Sequence, residues 1–284
     1  MRVQSTFSTL PKWLTAVIVI VTFFALDYIY LGPTSWGIVR TLAADESAWQ
    51  RLSVSAVVHY IGPQVFAPFL VTALIVSRAN VVKVLGFNKT PWRGLGFAFL
   101  CTLPLPLVYA FTTPLQETST MIADVMNYAV LAGISEEVLY RCFLFGLLFR
   151  LANWGFLPAS IFGALIFAAG HLYQGNAVSD TLGVFAITLA AGLWWAWIYI
   201  EWDYNAWVPI GFHVLMNGWF NVFVVSDTAL LPIAGEIARA LIVIISIAAT
   251  IALKQRRNGG RTIVGRVWLK GHAKPKMSVL NSPN

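Results

Sequence analysis

Two adjacent carboxylates and an arginine, Glu136, Glu137 and Arg141, interrupt an apolar run that extends from about Met121 to Leu148. In a segment greasy enough to enter a bilayer, each of these charges is costly unless paired. The string Ile134-Ser135-Glu136-Glu137-Val138-Leu139-Tyr140-Arg141 is therefore where chemistry is expected. Helical spacing separates the two glutamates. Arg141 follows Glu137 by four residues and can fold back onto it, whereas Glu136 points about 100° away around the helix with Tyr140 on its own face. Glu137 reads as the paired, supporting carboxylate. Glu136 is left to find its partner on another helix, where a carboxylate in a low-dielectric cavity is suited to general-base work beside a proton donor or acceptor.

Later apolar runs supply such groups. Phe167 and His171 are one turn apart, which sets an aromatic wall beside an imidazole. His213 and Asn217 are likewise one turn apart on one face, and two side-chain donors aimed at one point suit a developing oxyanion. The set reads as a carboxylate and an imidazole that activate a water, with an imidazole and a carboxamide that hold the tetrahedral intermediate. No nucleophile stands out, because there is no G-x-S-x-G elbow and no cysteine beside a histidine. A zinc version is open, since Glu136, His171 and His213 offer the N and O ligands zinc accepts while leaving a position for water; the H-E-x-x-H signature is missing.

Positioning these residues falls to the rest of the chain, which is 58% hydrophobic and only 11% charged over 284 residues, outside the range of a soluble domain. The expected fold is all-α, a polytopic membrane helix bundle with about eight transmembrane helices. On the rule of about 20 apolar residues per span, the candidate runs are roughly Trp13 to Leu31, Leu52 to Ser77, Gly94 to Thr113 and Met121 to Phe149. After a short turn at Asn153 and Trp154 come a run ending at Tyr173, then Thr181 to Ile200, Ala206 to Val225 and Ala229 to Leu253. The first run carries Asp27, lacks a small-x-small cleavage site, and reads as a retained anchor. Pro63 and Pro68 predict a kink in the second; Pro104 and Pro106 lie near the middle of the third. Cys101 and Cys142 read as packing residues, Asp27 and His59 as packing or interfacial ones, and Glu236 with Arg239 as a self-satisfied pair. Trp194, Trp195, Trp197 and Trp202 read as anchors at the membrane interface.

The organisation is thus an amino-terminal tail, 1–12, a membrane-embedded domain, 13–253, with its motif core at 121–225, and a basic tail, 254–284. The net charge of +7 in a soluble protein would suggest nucleic acid, but here it must be read by location. Arg2 and Lys12, then Arg78, Lys83, Lys89 and Arg93, then Arg150, then eight Lys and Arg from Lys254 onward fall on one side, against Arg40 and Arg51 on the other. This bias puts both termini in the cytoplasm of a bacterial plasma membrane, with the tail poorly ordered on an anionic lipid surface. Membrane lipids are the expected partners and nucleic acid is not. The same count puts His171 near the outer end of its span and His213 nearer the middle of its own.

Three motifs, Glu136-Glu137-x-x-x-Arg141, Phe167-x-x-x-His171 and His213-x-x-x-Asn217, occur in this order on separate apolar runs. In this the sequence resembles the CPBP intramembrane proteases, the type II CAAX prenyl endopeptidases together with bacteriocin-processing and immunity-type relatives. The resemblance implies an endopeptidase in which Glu136 and His171 activate water, His213 and Asn217 stabilise the oxyanion, and Glu137, Arg141, Tyr140 and Phe167 support the geometry. It implies a peptide or protein substrate with a membrane-anchored or lipidated segment, and leaves glutamate-type and metal-dependent chemistry both open. Two readings compete: a transporter in which Asp27, His59 and the later carboxylates and histidines form a proton or ion path, and a non-catalytic immunity or scaffold relative.

Overall fold

A computed structural model of the chain describes residues 10–26, 47–226, 230–256, 263 and 265–271. Asp27, Arg40, the amino-terminal tail and most of the basic tail lie outside these residues. The described residues are all-α apart from two isolated antiparallel bridges. Eight main helices can be followed among them: α1 Lys12–Leu26, α2 Ala48–Ile75, α3 Pro91–Thr112, α4 over 121–150, α5 Phe156–Ala169, α6 Val178–Glu201, α7 Trp207–Val222 and α8 Ile233–Arg256.

Each predicted apolar run therefore contains a helix, but the predicted number of spans is not reached on length and composition. Among the described residues, only α2, α3, α6 and α8 are long and apolar enough to cross a membrane, while α1 and α5 are shorter apolar helices. In α4 the reason is charge: Asp124, Glu136, Glu137, Arg141 and Arg150 interrupt an otherwise apolar helix. The outer faces are those of a protein in lipid: Ile233, Ile237, Leu241 and Ile244 on α8, and Phe99, Leu100, Leu107 and Phe111 on α3, are all exposed. With the apolar lengths of these helices, this points to an integral membrane protein.

α4 is the axis of the molecule. Every residue from Glu137 to Arg150 is buried, with α1, α2, α5, α6 and α7 all packed against this stretch or its continuation. Nor is α4 uniform: 125–131 and 137–145 are wound as π-helix, the wider i→i+5 turn that recurs at functional sites. The kink expected around Pro63 takes the same form, a π stretch over Ala56–Phe66 in which the proline sits without the tighter turn its ring would obstruct. In α3 the break falls at Leu103, just before Pro104.

Close approach of helices around α4 depends on missing side chains. At Gly133 of α4, a Cβ would lie 2.9 Å from the Val214 backbone nitrogen of α7; at Gly192 of α6, it would lie 2.8 Å from Ala164 Cβ of α5. Small residues at such crossings let backbones come close enough for dispersion to hold helices together in lipid. Gly192→Val is expected to push α6 off α5 and to cost about 1–3 kcal/mol, measurable as a lower midpoint of thermal unfolding in detergent.

One further expectation is corrected. Trp194 and Trp195 are not interface anchors but buried core residues, and the Trp194 and Trp202 indole N–H groups donate to Ser246 Oγ (3.1 Å) and Thr250 Oγ1 (3.0 Å) of α8. A buried indole N–H gains from such an acceptor, and α8 brings one every turn. The basic tail is not wholly free of the bundle either. Glu201, buried at the end of α6, takes Lys254 Nζ at 2.7 Å and the Ile263 backbone N–H at 3.1 Å, Lys270 bridges Trp154, and Trp268 packs edge-on to Phe156. The predicted pair of Glu236 and Arg239 forms at 3.1 Å, and Cys101 and Cys142 are buried and free.

Candidate active site

α4 carries both glutamates, and their environments differ as sharply as helix geometry suggests. Glu137 is fully buried, and its Oε1 lies 3.1 Å from Arg141 Nη1 and accepts the Nδ1–H of His213 at 2.8 Å. The first contact is local to α4. The second reaches across to α7 and was not foreseen: Glu137 orients His213 as well as pairing with Arg141. The Arg141 guanidinium is boxed by aromatic faces, with its carbon 4.1 Å from the Phe167 ring centre and 4.9 Å from that of Trp195. Neither Nη nitrogen has an aligned hydrogen bond, so the charge on Arg141 is balanced by Glu137 and these rings.

Glu136 faces elsewhere. Its Oε2 lies 3.9 Å from His171 Nε2 and 3.9 Å from His213 Nε2, and has no hydrogen-bond partner among the described residues. The side chain is 21% exposed and that of His171 18%, against 5% for His213, so the cluster is open on the His171 side. His171 follows the end of α5, where its Nδ1–H donates to the Phe167 carbonyl oxygen at 2.7 Å. With Nδ1–H committed in both imidazoles, Nε2 of each ring faces the same carboxylate oxygen and, in a neutral ring, would present a lone pair to it.

The expected mismatch in depth between the two histidines is therefore absent. The start of α7 lies inside the protein, with Asn205, Ala206 and Val208 buried and the Ala206 N–H donating to the Gly86 carbonyl at 3.2 Å. His213, six residues further on, is carried to the level of the end of α5. Phe167 is the wall between the rings, 4.4 Å from His171 and 6.3 Å from His213 by centroids, and Tyr140 packs edge-on to it at 5.1 Å. Asn217 is placed less simply. Its Nδ2 donates to the Tyr128 carbonyl of α4 at 3.1 Å, which leaves its second amide hydrogen as the one that could serve an oxyanion. His59, buried on α2, lies edge-on to Tyr60.

Glu136, His171 and His213 are residue types that zinc accepts, but their spacing does not fit it. Two ligands about 2.0–2.1 Å from a tetrahedral zinc lie about 3.3 Å apart, whereas both carboxylate–imidazole separations are 3.9 Å. Among the described residues no group of three His, Cys, Asp or Glu side chains has the arrangement of a metal site.

Fold and cluster together define a membrane helix bundle with a Glu–His–His centre that is open on the His171 side. Residues 118–219 match the family model described as type II CAAX prenyl endopeptidase Rce1-like, a stretch that contains all three motifs. The resemblance read from Glu136-Glu137-x-x-x-Arg141, Phe167-x-x-x-His171 and His213-x-x-x-Asn217 is thereby borne out. Neither a curated protein nor a solved structure gives a significant match.

Proposed function

We propose that the protein is an intramembrane endopeptidase that hydrolyses a peptide bond of a membrane-anchored or lipid-modified chain by means of water held between Glu136, His171 and His213. The observation that carries this is the 3.9 Å separation of Glu136 Oε2 from each Nε2, too long for a direct hydrogen bond and within reach of one bridging water. Three lone pairs facing one another also require hydrogens between them. A water donating to Glu136 and His171, and accepting from a protonated His213 Nε2, supplies them and keeps one lone pair for attack.

The protonated form of His213 also balances charge. Glu136 and Glu137 carry two negative charges; Arg141 and an imidazolium at His213 carry two positive ones, so the cluster is neutral in a medium that penalises net charge. In the reaction, the water oxygen bonds to the scissile carbonyl carbon as its proton passes to Glu136. The oxyanion is held by His213 Nε2–H and the second amide hydrogen of Asn217. Collapse breaks the C–N bond, and Glu136 returns the proton to the departing amine.

The basic residues support an orientation with both termini cytoplasmic: Lys83, Arg150 and Lys254 gather at one end of the bundle, where Arg150 Nη1 donates to the Lys83 and Val84 carbonyls. The substrate class follows from the setting and from the family's description. A centre among lipid-facing helices meets chains that an acyl, prenyl or apolar segment already confines to the bilayer. The test is cleavage by the protein reconstituted in liposomes, read by mass spectrometry, of one peptide sequence presented with a farnesyl chain, with an apolar leader and without an anchor. At least one anchored form should be cut more than tenfold faster than the free peptide; failure to cut any of them overturns the reading. Because the centre does not fit a metal, chelation with EDTA should leave the rate within about twofold, and loss of activity restored by zinc would show that the side chains close around an ion.

A further inference from the structure

We infer that Trp195 is a positioning residue for His213, holding the imidazole in the plane that the proposed hydrolysis requires; this rests on that reading. Trp195 lies on α6, between the second and third motifs and in neither. Its ring stacks on the His213 imidazole with centroids 4.6 Å apart and planes 27° apart, and lies 4.9 Å from the Arg141 guanidinium carbon. Phe167 meets the same imidazole edge-on, at 87°.

Among the described residues the His213 ring has one hydrogen bond, from Nδ1 to Glu137 Oε1, and a single hydrogen bond by itself leaves the ring room to tilt. Swinging would carry Nε2 away from Glu136 Oε2. A flat indole against the imidazole face removes that freedom. Backbone packing puts the indole there. Gly192, one turn earlier on α6, permits the close crossing with α5 at Ala164, and a Cβ at Gly192 would stand 3.8 Å from Arg141 Nη2, so this turn of α6 faces the charged cluster.

The indole N–H is buried and has no hydrogen-bond partner among the described residues. Such a group costs free energy that a leucine or methionine at the same place would not incur. The N–H is thus not what Trp195 contributes; the ring face is. Trp195 is 5% exposed, which places it behind His213 rather than in contact with substrate.

The test compares Trp195→Phe, which keeps an aromatic face, with Trp195→Met, which keeps most of the volume and loses the face. Both are reconstituted with the anchored peptide that the parent cleaves best, and the thermal midpoint of each is measured in detergent. Trp195→Met should lose about 10- to 100-fold in kcat with KM within twofold, as expected for a misplaced catalytic group, while Trp195→Phe stays within about threefold of the parent. Equal impairment of the two variants at unchanged KM, a loss confined to KM, or an unimpaired Trp195→Met overturns the inference. Should either variant fold poorly, Trp195→Tyr replaces it as the aromatic arm and Trp195→Leu as the aliphatic one, with the same criteria. A parent that cleaves nothing overturns the peptidase reading and this inference with it, whereas an active parent with an active Trp195→Met overturns this inference alone.

Discussion

Glu136→Gln is expected to abolish peptide cleavage while leaving the protein folded and in the membrane. The carboxamide has the size of the carboxylate and is 21% exposed in the parent, so little packing changes. What is lost is the acceptor for the proton of the attacking water, and removal of a general base costs about 10²–10⁴-fold in rate. His171 would then face a neutral amide, whose NH2 group can donate to its Nε2 lone pair and occupy the place of the water. Turnover of the best anchored peptide, with protein abundance and thermal midpoint as controls, measures this. Parent-like activity of the variant would refute the assignment of Glu136 as the base.

Glu137→Ala should act in the opposite manner, on stability first. Its carboxylate is fully buried and holds both Arg141 and His213. Without it the Arg141 guanidinium keeps two aromatic faces but no counter-charge, and breaking a buried pair from one side costs about 3–5 kcal/mol. Membrane abundance and the thermal midpoint should fall steeply. The double variant Glu137→Leu with Arg141→Met removes both charges and should recover much of the abundance while staying inactive, because His213 has lost the acceptor that turns its Nε2 toward Glu136. Recovery of activity along with abundance would show that Glu137 serves packing alone. Normal abundance of the single alanine variant would show that Arg141 is balanced by other groups.

The two glutamates show what could be read without coordinates. Glu137 and Arg141 are one turn apart on one helix, so their contact is local and the spacing alone predicts it. The divergence of Glu136 from Glu137 follows from the same geometry. That Glu136 meets two imidazoles from α5 and α7 at equal distance follows from no spacing, since it depends on where helices cross. Gly133 shows the difficulty: a glycine in an apolar run gives no sign that Val214 will sit against it.

Trp195 was misread for a related reason. α6 is apolar on nearly every side, so nothing in its pattern marks the face turned to the core, and tryptophans near the end of a span are most simply anchors. For the tail, charge and glycine content say where a segment can be soluble. They do not say whether its backbone meets a buried carboxylate such as Glu201.

Composition and helical period by themselves determined that this chain is an all-α bundle for a membrane, with three ordered motifs on separate apolar runs and carboxylates paired one turn away at Glu137–Arg141 and Glu236–Arg239, because apolar content and one-turn spacing are local quantities. Tertiary structure alone decided that Glu136 stands between two Nε2 atoms, that Glu137 also orients His213, that Asn217 spends one amide hydrogen on Tyr128, and that Trp195 backs the imidazole. Those relations are set by the crossing of helices at small residues and by side chains filling the space that remains, and no single segment contains that information.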